Sequence, residues 1–136
     1  MSCLLADDNG PQLAALEALL AGEGIEVVGV ARTGFEVLRL LERLPTTAIV
    51  LDRRLPDLTG LEVARRAAEI LRRKTAIVYM SSDDSRLVGP ALDAGARAVV
   101  VRGESASNLL DALSAVVGGQ VYVDPQLHAD DEHRRP

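Results

Sequence analysis

Aromatic residues are scarce, at 2% of the 136 residues and with no Trp. An interior must therefore be built from Ala, Leu, Val and Ile, and stacking platforms of the kind that hold single-stranded nucleic acid are missing. The single cysteine, Cys3, excludes an intramolecular disulfide framework and a Cys-rich zinc site. Both histidines, His128 and His133, stand near the C-terminus and read as solvated residues, so the body of the chain has no His-based metal site or catalytic triad. Basic excess is missing as well. Fifteen Lys and Arg against 20 Asp and Glu leave a net charge of −5, a poor match to direct contact with nucleic acid. No apolar run approaches the length of a bilayer span, and the N-terminus lacks a charged n-region. A soluble cytoplasmic protein without membrane contact is expected.

What is present is enough apolar material, 48% of the chain, to fill one hydrophobic core. Five short apolar runs stand out: Cys3 to Ala6, Val27 to Val30, Ala48 to Leu51, Ala76 to Met80, and Ala98 to Val101. Most are continuous rather than alternating, as strands covered on both faces should be. Stretches with helical spacing separate them, for example Leu13, Leu16, Leu19 and Leu20, or Val37, Leu38, Leu41 and Leu44. Strands alternating with helices read as repeated βαβ units around a parallel sheet, five pairs in all.

The punctuation agrees. Asn9 is a candidate cap of the first helix with Pro11 in its opening turn, Pro45 ends the second, and Ser105 or Ser107 caps the fifth before Gly118-Gly119 stops it. Pro90 fits only a first turn, which predicts a short fourth helix from Leu87 or Val88 to Gly95, behind a mobile loop from Ser81 to Arg86. Residues 1–119 are expected to form one domain, and 120–136 a polar C-terminal tail or linker with no output domain after it.

In an open parallel sheet ligands bind beyond the carboxyl ends of the strands. The first run is followed by Asp7-Asp8, the third by Asp52, the fourth by Ser81-Ser82 and the fifth by Arg102. Acids crowded together repel one another unless something positive sits among them. Oxygen-only donors favour a hard cation such as Mg²⁺, which takes one or two carboxylates, water and a phosphoryl oxygen. A carboxylate beside such an ion can also act as a nucleophile and form an aspartyl phosphate. The competing reading leaves Asp8 or Asn9 as a helix cap, Ser81 as a turn residue and Arg102 as a solvated charge. The combination in strand order favours the site.

These residues resemble the receiver domains of two-component response regulators over about residues 2 to 119. The resemblance rests on Ile49-Val50-Leu51-Asp52-Arg53-Arg54-Leu55-Pro56-Asp57-Leu58-Thr59-Gly60, on Ala94-Gly95-Ala96, and on Leu5-Ala6-Asp7-Asp8. It implies a flavodoxin-like (βα)5 doubly wound sheet with strand order 2-1-3-4-5. It also implies Asp52 as phosphoacceptor, Asp8 and Asp52 as direct Mg²⁺ ligands with the backbone carbonyl of Arg54, and Asp7 acting through water. Ser81 matches the hydroxyl that follows the phosphoryl group. Arg102 stands where the family has lysine, and Val99 where an aromatic switch residue is common; arginine is not lysine's equivalent.

The implied partner is a sensor histidine kinase, with a possible homodimer and with DNA reached only through an output domain. The exit Gly119-Gln120-Val121-Tyr122, with Pro125 behind it, looks like receivers that feed a helix-turn-helix domain. Arg54 and Asp83 are expected to pair at the mouth of the site. The alternative is a degenerate receiver that works without phosphate as a dimerisation or protein-binding module, supported by Arg102 and Val99. A related aspartate phosphatase would want an acid where Arg54 stands, and neither G-x-G-x-x-G nor a P-loop motif is present.

Overall fold

The computed structural model describes residues 1–71, 76–81, 85–101 and 106–127. Strands β1 (Ser2–Ala6), β2 (Glu26–Ala31), β3 (Ala48–Asp52), β4 (Ala76–Ser81) and β5 (Ala98–Val101) are the five expected runs with ends shifted by one residue at most. Helices α1 (Gly10–Gly22), α2 (Gly34–Arg43), α3 (Gly60–Leu71), α4 (Val88–Asp93) and α5 (Ala106–Val117) connect them, with a 3₁₀ turn at Ser85–Leu87 before α4. All strand pairs in the sheet are parallel, in the order β2-β1-β3-β4-β5 followed by a two-residue strand β6 (Tyr122–Val123). This is the expected strand order with one strand added at the β5 edge.

Side chains alternate across the sheet and divide the interior into two layers. Leu4, Ile49, Leu51, Ile77, Tyr79, Val99 and Val101 face α2, α3 and α4. Cys3, Leu5, Val50, Val78, Met80 and Val100 face α1 and α5, where Leu13, Leu16, Leu20, Leu109 and Leu113 meet them. Both faces are covered, which is why the strands are continuous apolar runs.

Local chemistry sets the helix ends. Asn9 Oδ1 accepts the Gln12 amide at 3.0 Å and caps α1, with Pro11 in its first turn as expected. Thr33 Oγ1 caps α2 through Glu36, and Thr59 Oγ1 accepts the Glu62 amide in the first turn of α3. Helix α4 is short, with Pro90 as its third residue and Gly95 beyond its end at φ 110°. The position before α5 lies outside the described residues and Ser107 lies inside that helix, so of the two expected caps Ser107 is corrected to a helical residue. Of the loop expected to be mobile, residues 82–84 lie outside the described residues, Ser81 ends β4, and Ser85 and Arg86 belong to the 3₁₀ turn.

The reading of 120–136 as a polar tail fails for its first part. Tyr122 and Val123 pair with Ala98 and Val99, and Leu127 is fully buried against the α2–α4 layer. Asp124 is fully buried as well. Its Oδ2 accepts the Val101 amide at 3.1 Å and the Asn108 side-chain amide at 3.2 Å, and its Oδ1 accepts the Gln126 amide at 3.0 Å. A carboxylate looks polar in composition, yet donors aimed at it let it be buried. Residues 128–136, with both histidines, lie outside the described residues.

Candidate functional site

Because the sheet is parallel, the carboxyl ends of β1 and β3 lie side by side, with Ala6 in register with Leu51. Asp52 is the last residue of β3, and Asp7-Asp8 follow β1 directly. Carboxylate oxygens of Asp7, Asp8 and Asp52 lie within 4.8 Å of one another. Asp7 and Asp52 are buried, at 3% and 2% exposure, while Asp8 opens to solvent. Asp7 Oδ1 accepts the Asn9 amide at 2.9 Å, and Asp52 Oδ2 accepts the Arg54 amide at 3.1 Å. Each of these buried acids is therefore oriented by the backbone two residues ahead. Three carboxylates, two of them withdrawn from water, form an all-oxygen donor set that fits a hard divalent cation such as Mg²⁺.

The loop after β3 is held close to its strand. Arg54 and Thr59 form an antiparallel bridge, the Gly60 amide donates to the Arg53 carbonyl at 2.8 Å, and the Arg53 amide donates to Met80 at 3.0 Å. Only glycine fits at position 60, for reasons of space. A Cβ there would stand 2.7 Å from Arg53 Cα and from the Asp52 carbonyl oxygen, and 2.9 Å from Tyr79 Cε2. Tyr79 stands on β4 in register with Leu51. Burial pushes its hydroxyl pKa up, against Arg53, which lowers it, and with Asp52, which raises it.

Two residues that were not singled out in the sequence also shape this end of the sheet. Asp57 reaches from the loop after β3 to the N-terminus of α2, where Oδ1 accepts the Gly34 amide at 2.7 Å and Oδ2 the Phe35 amide at 3.0 Å. Desolvation pushes its carboxyl up, but these amides, with those of Asp57 and Leu58, outweigh it and hold the pKa below the ordinary value. Arg32, the first residue after β2, donates from Nη2 to the Asp8 backbone carbonyl at 2.8 Å. Arg32 was legible in principle as a cation following an apolar run. Asp57 was not, because its partners are 22 and 23 residues away.

Of the other expected site residues, Ser81 ends β4 one position beyond Met80, the register partner of Asp52, and only its backbone is described. Arg102 follows the last residue of β5 and lies outside the described residues, as does Asp83, so the Arg54–Asp83 pair does too. Arg54 itself is exposed. Val99 is fully buried and stands in register with Tyr79.

The model of the response regulator receiver domain family matches residues 3–114. The chain is 34% identical over 99 residues to the uncharacterized transcriptional regulatory protein YhcZ of Bacillus subtilis, covering 72% of this chain and 46% of that protein. It spans about half the length of the curated relatives it matches. Among solved structures, a LuxR-family two-component response regulator from Aurantimonas superposes with a TM-score of 0.91 at 22% identity, covering 98% of each chain. The receiver domain of the sensor histidine kinase PA1611 from Pseudomonas aeruginosa, with a magnesium ion coordinated in its active-site cleft, superposes with a TM-score of 0.74 at 28% identity. That match covers 86% of this chain and 97% of that one.

Proposed function

The chain belongs to the response regulator receiver domain family, and on that premise we propose that it is a phosphorylation-controlled switch whose acceptor is Asp52. The observation that carries this reading is the meeting of the Asp7, Asp8 and Asp52 carboxylates at one point, with the acceptor buried at the end of its strand. In the proposed reaction an Asp52 oxygen attacks the phosphorus of a sensor kinase's phosphohistidine. The P–N bond breaks as the P–O bond forms, and the imidazole leaves with the electron pair of the broken bond.

Asp8 and Asp52 would hold Mg²⁺ directly with the Arg54 carbonyl, and Asp7 through water. The bound ion would neutralise charge developing on the phosphoryl oxygens. Asp7 and Asp52 enter the reaction already aimed, since the Asn9 and Arg54 amides fix them. Ser81 and Arg102 are assigned to the phosphoryl oxygens as hydroxyl and cation. Phosphorylation would then change the protein's interaction surface, including a homodimer contact, and act on DNA only through an output domain outside this chain. Among the described residues no helix is long and apolar enough to cross a membrane; we place the switch in the cytoplasm with its kinase.

Incubation with a small phosphodonor and Mg²⁺, followed by intact-mass measurement, tests the proposal. A gain of one phosphoryl group that disappears in Asp52→Asn is the expected result. An unlabelled wild type, under conditions that label an ordinary receiver, would establish the phosphate-independent module instead.

A further inference from the structure

Asp8 differs from the other two acids of the cluster. Asp7 and Asp52 are buried and oriented by amides of their own turns, whereas Asp8 is exposed on the β1–α1 turn. An exposed carboxylate on a turn samples several directions, and each one lost on binding a ligand costs conformational entropy.

A contact from the neighbouring strand restricts that turn. Strand β2 carries an irregularity against β1, with Cys3 paired to Val27 but Leu4 to Gly29, so Val28 is the extra residue of a bulge. After the bulge the register brings Ala31 opposite Ala6, and the Asp7 amide donates to the Ala31 carbonyl at 3.1 Å. Arg32 therefore leaves β2 beside Asp7-Asp8. Its guanidinium passes over the start of α1, 3.9 Å from where a Cβ on Gly10 would lie, and donates from Nη2 to the Asp8 carbonyl at 2.8 Å.

We propose that Arg32 is a positioning residue for the divalent-cation site, pinning the Asp8 peptide so that its carboxylate is presented toward Asp7 and Asp52. This rests on the reading of those three acids as the Mg²⁺ site. Arg32 touches neither the ion nor the phosphoryl group. It acts by fixing the Asp8–Asn9 peptide plane. Outer partners of metal ligands typically alter affinity by about 10- to 100-fold when removed. Arg32 holds a main-chain carbonyl from an exposed position, so the lower end of that range is expected.

The test is calorimetric titration of the metal-free full chain with Mg²⁺ alone, in wild type, Arg32→Ala, Arg32→Lys, Asp8→Asn and Arg39→Ala. Arg39 is an exposed cation on α2 and controls for net charge. Arg32→Ala should weaken Mg²⁺ binding about tenfold. Arg32→Lys, which keeps the charge without the planar fork, should recover part of that loss. Arg39→Ala should stay within about twofold of wild type, since long-range charge is screened by salt. With a small phosphodonor, the Mg²⁺ concentration for half-maximal labelling should shift in Arg32→Ala by the same factor as the affinity. Affinity in Arg32→Ala equal to wild type, or an equal loss in Arg39→Ala, would overturn the role of Arg32. A wild type that binds no Mg²⁺, or an Asp8→Asn variant that binds as wild type does, would overturn the metal site itself.

Discussion

Replacing Gly60 by Ala adds one methyl group at the point where α3 begins, against the end of β3. Two of the three atoms it meets, Arg53 Cα and the Asp52 carbonyl oxygen at 2.7 Å, are main chain, and the third is a carbon of the buried Tyr79 ring at 2.9 Å. Each is several tenths of an ångström inside the 3.4 Å at which ordinary contact begins. None can rotate away, because the Arg53 amide is bonded to Met80 and its carbonyl to the Gly60 amide. Extra methyl groups in packed sites cost about 1–3 kcal/mol, and the upper half of that range applies when backbone must move. Alanine's helix advantage offsets about 0.5–1 kcal/mol at best. A net loss of about 1–2.5 kcal/mol remains, a fall in Tm of roughly 4–9 °C for a chain of this size. Thermal melts followed by circular dichroism in EDTA measure it. The internal control is Gly89→Ala in α4, where a Cβ meets nothing within 4 Å and the same substitution should stabilise. If the two variants melt together, the crowding argument at Gly60 is wrong.

Two further substitutions address contacts made at a distance in sequence. Asp57→Ala removes the acceptor for the first amides of α2 and should cost about 1 kcal/mol at neutral pH. Since the folded pKa of Asp57 is lowered, its contribution is complete above the unfolded value and is lost as pH falls through the folded one. The stability difference between wild type and variant should therefore shrink below about pH 4. A difference that persists unchanged in strong acid would show that the carboxylate is not responsible. Asp124→Ala leaves the Val101 amide and the Asn108 side chain without their acceptor in a buried place, at a cost of about 2–4 kcal/mol in urea unfolding. A loss under about 0.5 kcal/mol would mean that the 121–127 segment docks without it.

The acid cluster was readable before any coordinates because two simple rules act in series. Apolar runs without alternation mark strands buried on both faces, and a parallel sheet brings the residues that follow them to one edge; Asp7, Asp8 and Asp52 obey both. Strand β6 escaped the first rule. Two residues, Tyr122 and Val123, carry no period, and what makes them a strand is the open edge of β5 rather than their own sequence. Asp124 was misread for a related reason: its burial depends on amides at 101 and 126 and on Asn108, which composition cannot reveal. Asp57 is a similar case at the other edge, since the Gly34 and Phe35 amides it accepts are 23 and 22 residues away. Arg32 was missed only because the end of the second strand was not read as the other strand ends were.

The segment after α5 is fastened along β5 at alternate residues. The Tyr122 amide donates to the Arg97 carbonyl, the Asp124 amide to that of Val99, and the Asp124 carboxylate takes the Val101 amide. Those three bonds splint residues 122–124 to a strand, and the Asn108 side-chain amide of α5 ties the same carboxylate to the helix. A small slide of β5 along its own axis would therefore carry this segment with it, and a tilt of α5 would reach the same segment through Asn108. The chain up to Leu127 is thereby geared both to the carboxyl end of β5 and to α5, so that sheet edge and helix displace it together.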